Sequence, residues 1–350
     1  MGGGLTLCSV QGAGGARIAY HCLGAGPPLV LLFPYHVNDL VRNWLVPLHR
    51  HGMLYLANEF LVVNLDLRGA GQSERDDVDI SLGTFVEDIH AVLVDVGIAR
   101  VSLLAMGNAV PIAAHFARTY PEATSRLVLV EAGESEVSMR LLGMQSSEPG
   151  IGADLRASVI GGLVDPENTN ALAAVMRGAV DASALSRFVT VYEQAAPLDP
   201  LAGVEVPTLV VHAQDDELIA LAVAERIVAA AAQASLMVLP GRSGLELWRR
   251  REALDRVMAF ARGDWAGAGE APVRRRSLRS APRSSVDMLT VREREVLALV
   301  AAGMTNHQIG DELTISLNTV SHHLRAIFAK TSSRNRTEAA AFAHQHGLVR

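Results

Sequence analysis

Cysteine is almost missing from this chain: Cys8 and Cys22 are the only two in 350 residues. That excludes a disulfide-stapled scaffold, and neither thiol has a metal-ligand partner at sensible spacing. No charged-then-apolar leader precedes them, so a reducing cytoplasm is the expected compartment. Long apolar runs are missing as well. The stretches 218–224 and 227–232 are interrupted by Glu225 and Arg226 and are too short to span a bilayer, so no membrane partner is expected. Internal repeats are absent, which argues against solenoids and propellers. What remains is a chain longer than one typical domain, with a formal net charge of −6.

The most informative segment lies near residue 107. Residues 101 to 105 (Val-Ser-Leu-Leu-Ala) read as a buried strand. Residues 109 to 120 read as a helix packed through Ala113, Ala114 and Ala117 and closed by Tyr120-Pro121. A strand turning sharply into a helix is where a G-x-S-x-G elbow holds a strained nucleophilic serine. Here the five residues are Ala105-Met106-Gly107-Asn108-Ala109, so the frame is kept without the hydroxyl.

With these elements in register, residues 15 to 262 resemble the α/β-hydrolase family, which implies an α/β fold with a helical cap. Asn64-Leu-Asp66-Leu-Arg68-Gly69-Ala-Gly71-Gln-Ser73 is similar to the family's D-x-R-G-x-G-x-S loop, a fold marker rather than a catalytic element. The strand 208–212 runs into Ala213-Gln-Asp215-Asp216, similar to the family's strand and acid turn. After strand 236–239, Gly244 stands where the family carries histidine. Where the family has His-Gly after its third strand, this chain has Phe33-Pro34, and proline removes a backbone donor from an oxyanion hole. Acyl transfer needs a nucleophile, an imidazole and an orienting acid. Nucleophile and imidazole are both missing, so the resemblance implies a silent hydrolase with no catalytic residues and no cofactor. Asp216 has a second reading, a turn acid capping the following helix.

Between 132 and 202 the alternation of strand and helix lapses, where the family carries its cap. Helices are expected at 155–163, 168–180 and 183–195. Ligands in open α/β sheets bind beyond the carboxyl ends of the strands. The expected pocket is therefore lined by Phe33, Met106, Gly107, Asn108, Phe188, Tyr192, Asp216 and Gly244, with Met139, Met144 and Val191 as further cap candidates, and both glycines are expected to enlarge it. The competing reading for the apolar members is ordinary core.

The C-terminus carries a second pattern. Thr290 with Glu293, Thr305 with Gln308 and Asn335 with Glu338 have capping-box spacing, and Ser316 is a further N-cap. They predict four helices, at 291–302, 306–313, 317–331 and 336–346, with a tight turn after the second: a helix-turn-helix. In the third helix Val320, Leu324, Ile327 and Phe328 form an apolar stripe toward Ile309, Leu313 and Ile315. Asn318, Ser321, His322 and Arg325 form the opposite, polar stripe. The segment resembles LuxR-type (GerE-like) DNA-binding domains through L-T-x-R-E-x-E-V-L at 289–297, G-x-T-N at 303–306, L-x-I-S-x-x-T-V at 313–320, H-L-x-x-I at 323–327, Lys330 and R-N-R-T-E-A at 334–339. Thr331 departs from the family's usual leucine. The resemblance implies that Ser321, His322 and Arg325 face base edges of double-stranded DNA, with Arg325 suited to a bidentate guanine contact. It implies that Asn306, Thr319, Lys330 and Arg336 hold phosphates, with Ser316 and Asn318 also along the DNA interface, and His322 is open to a second reading as a capping or solvated residue.

Charge follows the same division. Residues 1–262 carry a net −10, whereas 263–287 and 288–350 carry +2 each, so phosphate contact is expected only at the C-terminal end. Residues 263–287, rich in Gly, Ala, Pro, Ser and Arg, read as a linker. The expected organisation is a sensor domain over 1–262, a tether, and a DNA-binding domain over 288–350. It reads as a transcriptional regulator, homodimeric on paired half-sites, governed by a small, largely apolar effector. Two rivals stay open: a hydrolase using Ser243 or Ser73, or a hydrolase-like domain used only for dimerisation or partner docking.

Overall fold

The computed structural model describes residues 5–133, 136–162, 166–195, 201–264, 291–301, 303–313 and 336–345, and positions 320, 324, 327, 331 and 333. The chain divides into two compact units, Met1–Pro272 and Val273–Arg350.

The first unit is built on eight strands: β1 (Cys8–Gln11), β2 (Arg17–Leu23), β3 (Pro28–Leu32), β4 (Leu61–Leu65), β5 (Val101–Met106), β6 (Thr124–Val130), β7 (Thr208–Ala213) and β8 (Ala234–Leu239). They form one sheet in the order β1-β2-β4-β3-β5-β6-β7-β8. β1 and β2 join antiparallel, and every pairing from β4 to β8 is parallel. Parallel strands need helical crossovers that bury both faces, which is why the central strands read as unbroken apolar runs. All six residues of β5 and all six of β7 are buried.

The helices flanking the sheet are α1 (Leu40–Leu45), α2 (Pro47–Leu56), α3 (Leu82–Val96) and α4 (Val110–Thr119), followed after the cap by α9 (Leu221–Ala230), α10 (Glu246–Arg249) and α11 (Arg251–Arg262). α3 starts at a capping box between Ser81 and Thr84 and stops at Gly97. α4 packs its alanines against β5 and ends at Tyr120, ahead of Pro121.

Between β6 and β7 lie four cap helices, α5 (Glu136–Ser147), α6 (Pro149–Gly162), α7 (Pro166–Ala179) and α8 (Ala182–Ala195). The sequence reading anticipated three and missed α5, where Gly143, Ser146 and Ser147 weaken helix propensity and packing on α6 and α8 compensates. The cap is tied to the loop after β4: Gly71 N donates to Ala179 O at 2.7 Å, and Ala70 bridges Val180.

In the second unit α12 (Val291–Ala301), α13 (Asn306–Leu313) and α14 (Arg336–Gln345) enclose a small core. Val296, Leu297, Val300, Ile309, Ala339 and Ala343 are buried there with Val320, Leu324 and Ile327, whose backbone is helical. The stripe expected on the third helix is thus on the core side at its three described positions; Phe328 and Ile315 lie outside the described residues. Thr331 is also buried and donates to Ile327 O at 2.7 Å, so its hydroxyl is satisfied one turn back.

Candidate functional site

β5 delivers Gly107 to the carboxyl edge of the sheet, and the chain enters α4 at once. Gly107 has φ +51°, in the left-handed region where any other residue is strained. A Cβ added here would meet nothing nearer than Pro34 Cγ at 3.6 Å. The elbow's backbone is therefore intact, and the volume a nucleophile would fill is open space.

One neighbouring backbone donor is already engaged. Tyr35 N, the first backbone N–H after Pro34, donates to Asn108 Oδ1 at 2.8 Å, and Asn108 Nδ2 lies 3.2 Å from His36 Nδ1. An oxyanion at Gly107 would have to displace Asn108 from Tyr35 N.

Where a histidine would follow β8, the molecule has a different device. Glu131 comes directly after β6 at φ +53°, an uncommon conformation for a residue with a side chain. Its carboxylate accepts from Gly244 N and from Ser243 Oγ, the latter at 3.0 Å. A Cβ on Gly244 would lie 2.6 Å from Glu131 Cγ and 2.9 Å from Val130 Cγ1. Gly244 thus makes room for Glu131 rather than for a ligand, which corrects the expectation that it enlarges the pocket. Sequence reasoning missed Glu131; the available signal was an acid at the carboxyl end of a core strand.

Asp216 follows β7, and its Oδ1 accepts from Leu218 N and Ile219 N, each at 2.8 Å. This is the turn-acid role. Its buried Oδ2 has no donor other than Glu131, with which it shares a hydrogen bond when one of the two acids carries a proton. Burial first, and Asp216 second, raise the Glu131 carboxyl to about 7. Burial also raises Asp216. A proton is readily retained on this pair.

Cap and sheet together enclose a cavity of about 90 Å³. Phe33, Met106, Gly107, Asn108, Tyr192 and Asp216 line it, as does Met139. Phe188 and Gly244 do not. Phe188 is fully buried and stacked on Tyr35 with ring centroids 4.2 Å apart, so it fixes cap to sheet. Of the other cap candidates, Met144 is 41 % exposed and Val191 packs against the core. The wall also holds groups not singled out from sequence: His36, His49, Glu131 and Arg156. Ser243 reaches the cavity, whereas Ser73 is locked below the sheet loop, donating to Asp66 O at 2.6 Å and accepting from Ala19 N at 2.8 Å.

These shifts set a pH dependence. Glu131, and Asp66 which burial raises to about 8, stabilise the fold below their unfolded values and lose that contribution as pH rises through 7 to 8. Burial lowers His21 and His49 to about 4, so they favour the fold above their ordinary 6.5 and oppose it as pH falls below that value. Between about pH 4.5 and 6.5 the two sets oppose one another, and above about 6.5 only the acids act, so stability is expected to decline on the alkaline side up to about pH 8. Glu131→Gln should flatten the alkaline limb by a little under about 1 kcal/mol between about pH 6.5 and about pH 9, read from urea midpoints.

At the other end of the chain, Thr305 and Gln308 form the expected capping box: Thr305 N donates to Gln308 Oε1 at 2.8 Å and Gln308 N to Thr305 Oγ1 at 3.3 Å. Asn306 and Arg336 are brought together, with Arg336 Nη1 donating to Asn306 Oδ1 at 3.0 Å and its Nη2 to Met304 O. Arg336 thereby joins α14 to the start of α13. Ser316, Asn318, Thr319, Ser321, His322, Arg325 and Lys330 lie outside the described residues.

Comparison with known proteins places both halves. The family model for bacterial regulatory proteins of the luxR family matches residues 287–343. This segment is a LuxR-type DNA-binding domain. The transcriptional regulatory protein LiaR of Bacillus subtilis is 46 % identical over 63 residues, 18 % of this chain and 30 % of LiaR. The response regulator VraR of Staphylococcus aureus is 32 % identical over 99 residues, 28 % of this chain and 47 % of VraR. The chain thus spans about a third to a half of the curated relatives it matches. The remainder has the α/β-hydrolase fold. An esterase from Thermogutta terrifontis superposes with TM-score 0.61 at 20 % identity, over 74 % of this chain and 97 % of the esterase. The esterase RhEst1 from Rhodococcus gives 0.63 at 18 %, over 76 % and 100 %. A bromoperoxidase from Bacillus anthracis gives 0.62 at 16 %, over 73 % and 100 %. Among the described residues, no helix is long and apolar enough to cross a membrane.

Proposed function

We propose that this chain is a transcriptional regulator whose hydrolase-like unit binds a small, largely apolar molecule without cleaving it and couples occupancy to DNA binding. The observation that carries this reading is Gly107: an elbow with its strained backbone retained, no side chain, and a cavity in the vacated place. The seating of Glu131 against Gly244 supports it, since an imidazole there would have to displace Glu131. In this reading residues 1–262 sense the effector, 263–287 tether, and 288–350 bind double-stranded DNA as a homodimer in the cytoplasm. Arg325 reads a base edge, with Ser321 and His322 beside it and Lys330 on phosphate.

The effector shifts DNA affinity only by the difference in its affinity for two arrangements of the cap. Couplings of this kind are typically about 1–3 kcal/mol, or about five- to 150-fold. The test is mass spectrometry of small molecules released from purified full-length protein, followed by titration of a bound promoter fragment with and without the recovered compound. The expected result is a shift of at least about fivefold; unchanged affinity with the compound bound would refute the coupling.

One observation favours the hydrolase rival. Ser243 Oγ sits 3.0 Å from Glu131, a hydroxyl beside a carboxylate raised toward neutrality, and both border the cavity. Ester turnover that disappears in Ser243→Ala would establish that alternative.

A further inference from the structure

Arg156 projects from α6 into the cavity wall and is only 4 % exposed. Its Nη1 donates to Ser138 O at 2.8 Å and its Nη2 to Ser138 Oγ at 3.3 Å; Nε has no hydrogen-bond partner. Among the described residues no carboxylate forms an ion pair with it, unlike Arg68, which is equally buried and paired to Asp88. Tyr192 and Glu131 act on it through space, and burial lowers its pKa to about 10. A guanidinium out of water is costly unless an anion and acceptors replace the lost hydration. Glu131, the acid that acts on it, is itself raised to about 7 by burial, His36 is lowered by burial, and Leu142, Leu172 and Met176 border the same cavity, so no fixed counter-charge is seated on the guanidinium.

We infer that the cavity is an organic-anion site, in which a monocarboxylate with a small apolar body pairs its carboxylate with Arg156 and lays its body toward Met106 and Gly107. This deepens the sensor reading and rests on it. A monoanion is favoured over phosphate because Arg156 offers one positive charge, and a second buried negative charge would have no cation to pair with. Carboxylate binding supplies the missing counter-charge, and it leaves the acid pair free to stay protonated and donate toward the ligand.

The experiment titrates purified full-length protein, cleared of bound small molecules, with butyrate and benzoate, with their primary amides, and with inorganic phosphate, by calorimetry. Acid and amide have nearly the same shape, so their ratio isolates the charge. The acids are expected to bind roughly ten- to a hundredfold tighter than the amides, the range for hydrogen bonds to a charged group. In Arg156→Met that ratio should collapse to about one while amide affinity holds. The wild-type ratio needs no variant to fold, and retention of amide binding shows that the variant is intact. Equal affinities for acids and amides in the wild type would overturn the anion site and leave a sensor of neutral molecules standing. Phosphate binding as tightly as butyrate would overturn the monocarboxylate assignment. Binding of none of the probes would count against the anion site and the sensor reading together.

Discussion

Purified full-length protein is expected to hydrolyse acetyl, butyryl and long-acyl nitrophenyl esters at background rates, about a millionfold below an intact triad. The parts of such a triad act as a unit, so on the proposed reading a site without nucleophile and base has no covalent route, and only binding remains. Restoring the side chains should not restore turnover. Gly107→Ser has room, since its Cβ meets only Pro34 at 3.6 Å, and costs roughly 1–2 kcal/mol for its left-handed backbone. Gly244→His must displace Glu131, whose Cγ lies 2.6 Å from the new Cβ, at about 1–3 kcal/mol for overpacking plus the lost Gly244 and Ser243 hydrogen bonds. The double variant is expected to be less stable and still inactive, because Asp216 already spends Oδ1 on the turn and Tyr35 N remains bound to Asn108. Turnover in the double variant within about a hundredfold of a natural esterase would show that the site lacks only two side chains, and the reading of a rebuilt pocket would be wrong.

Asp88→Ala is expected to cost about 3–5 kcal/mol, a large part of the roughly 5–15 kcal/mol that holds a domain together. Asp88 is fully buried on α3 and accepts from Arg68 Nε at 2.7 Å, Arg68 Nη2 at 2.6 Å and Ala13 N at 2.9 Å. Arg68 is 2 % exposed and also donates to Ala13 O at 2.9 Å. Truncating Asp88 leaves a buried guanidinium without its counter-ion, in the loop that carries Gly69 and Gly71 beneath the cap. Urea unfolding should show the loss as a lower midpoint at an unchanged slope. Replacing both partners, Arg68→Met with Asp88→Leu, should cost less than Asp88→Ala alone, because no buried charge is stranded. A loss under about 1 kcal/mol for Asp88→Ala would mean that the pair is solvated in solution.

The contrast between local and distant determinants explains what was legible in the sequence. The elbow could be read because a buried strand, a small-residue helix and Pro121 are written consecutively, and the D-x-R-G loop for the same reason. Asp216 was legible as both cavity acid and turn acid, and the structure gives it both positions. Glu131 was not: its role depends on Gly244, 113 residues away, and on a positive φ that no local pattern announces. Arg156 lay inside a helix that the sequence predicted, but its burial depends on the unforeseen α5, where Ser138 supplies its acceptors. Phe188 reads equally as pocket or core by spacing alone, and its stack on Tyr35 decides for core. In the LuxR-type domain every signal used was local, a cap or a periodic stripe, so Thr305, Gln308 and Ile309 fall where expected.

The central claim, that occupancy of the cavity and occupancy of DNA are linked, is tested most directly by measuring the affinity of full-length protein for its recovered small molecule with and without saturating promoter DNA. Linkage is reciprocal, so the ratio of these affinities should equal the ratio by which the molecule changes DNA affinity, at least about fivefold in each case. The same small-molecule affinity with and without DNA would contradict the account, because the hydrolase-like unit would then bind its ligand without informing the domain that binds the promoter.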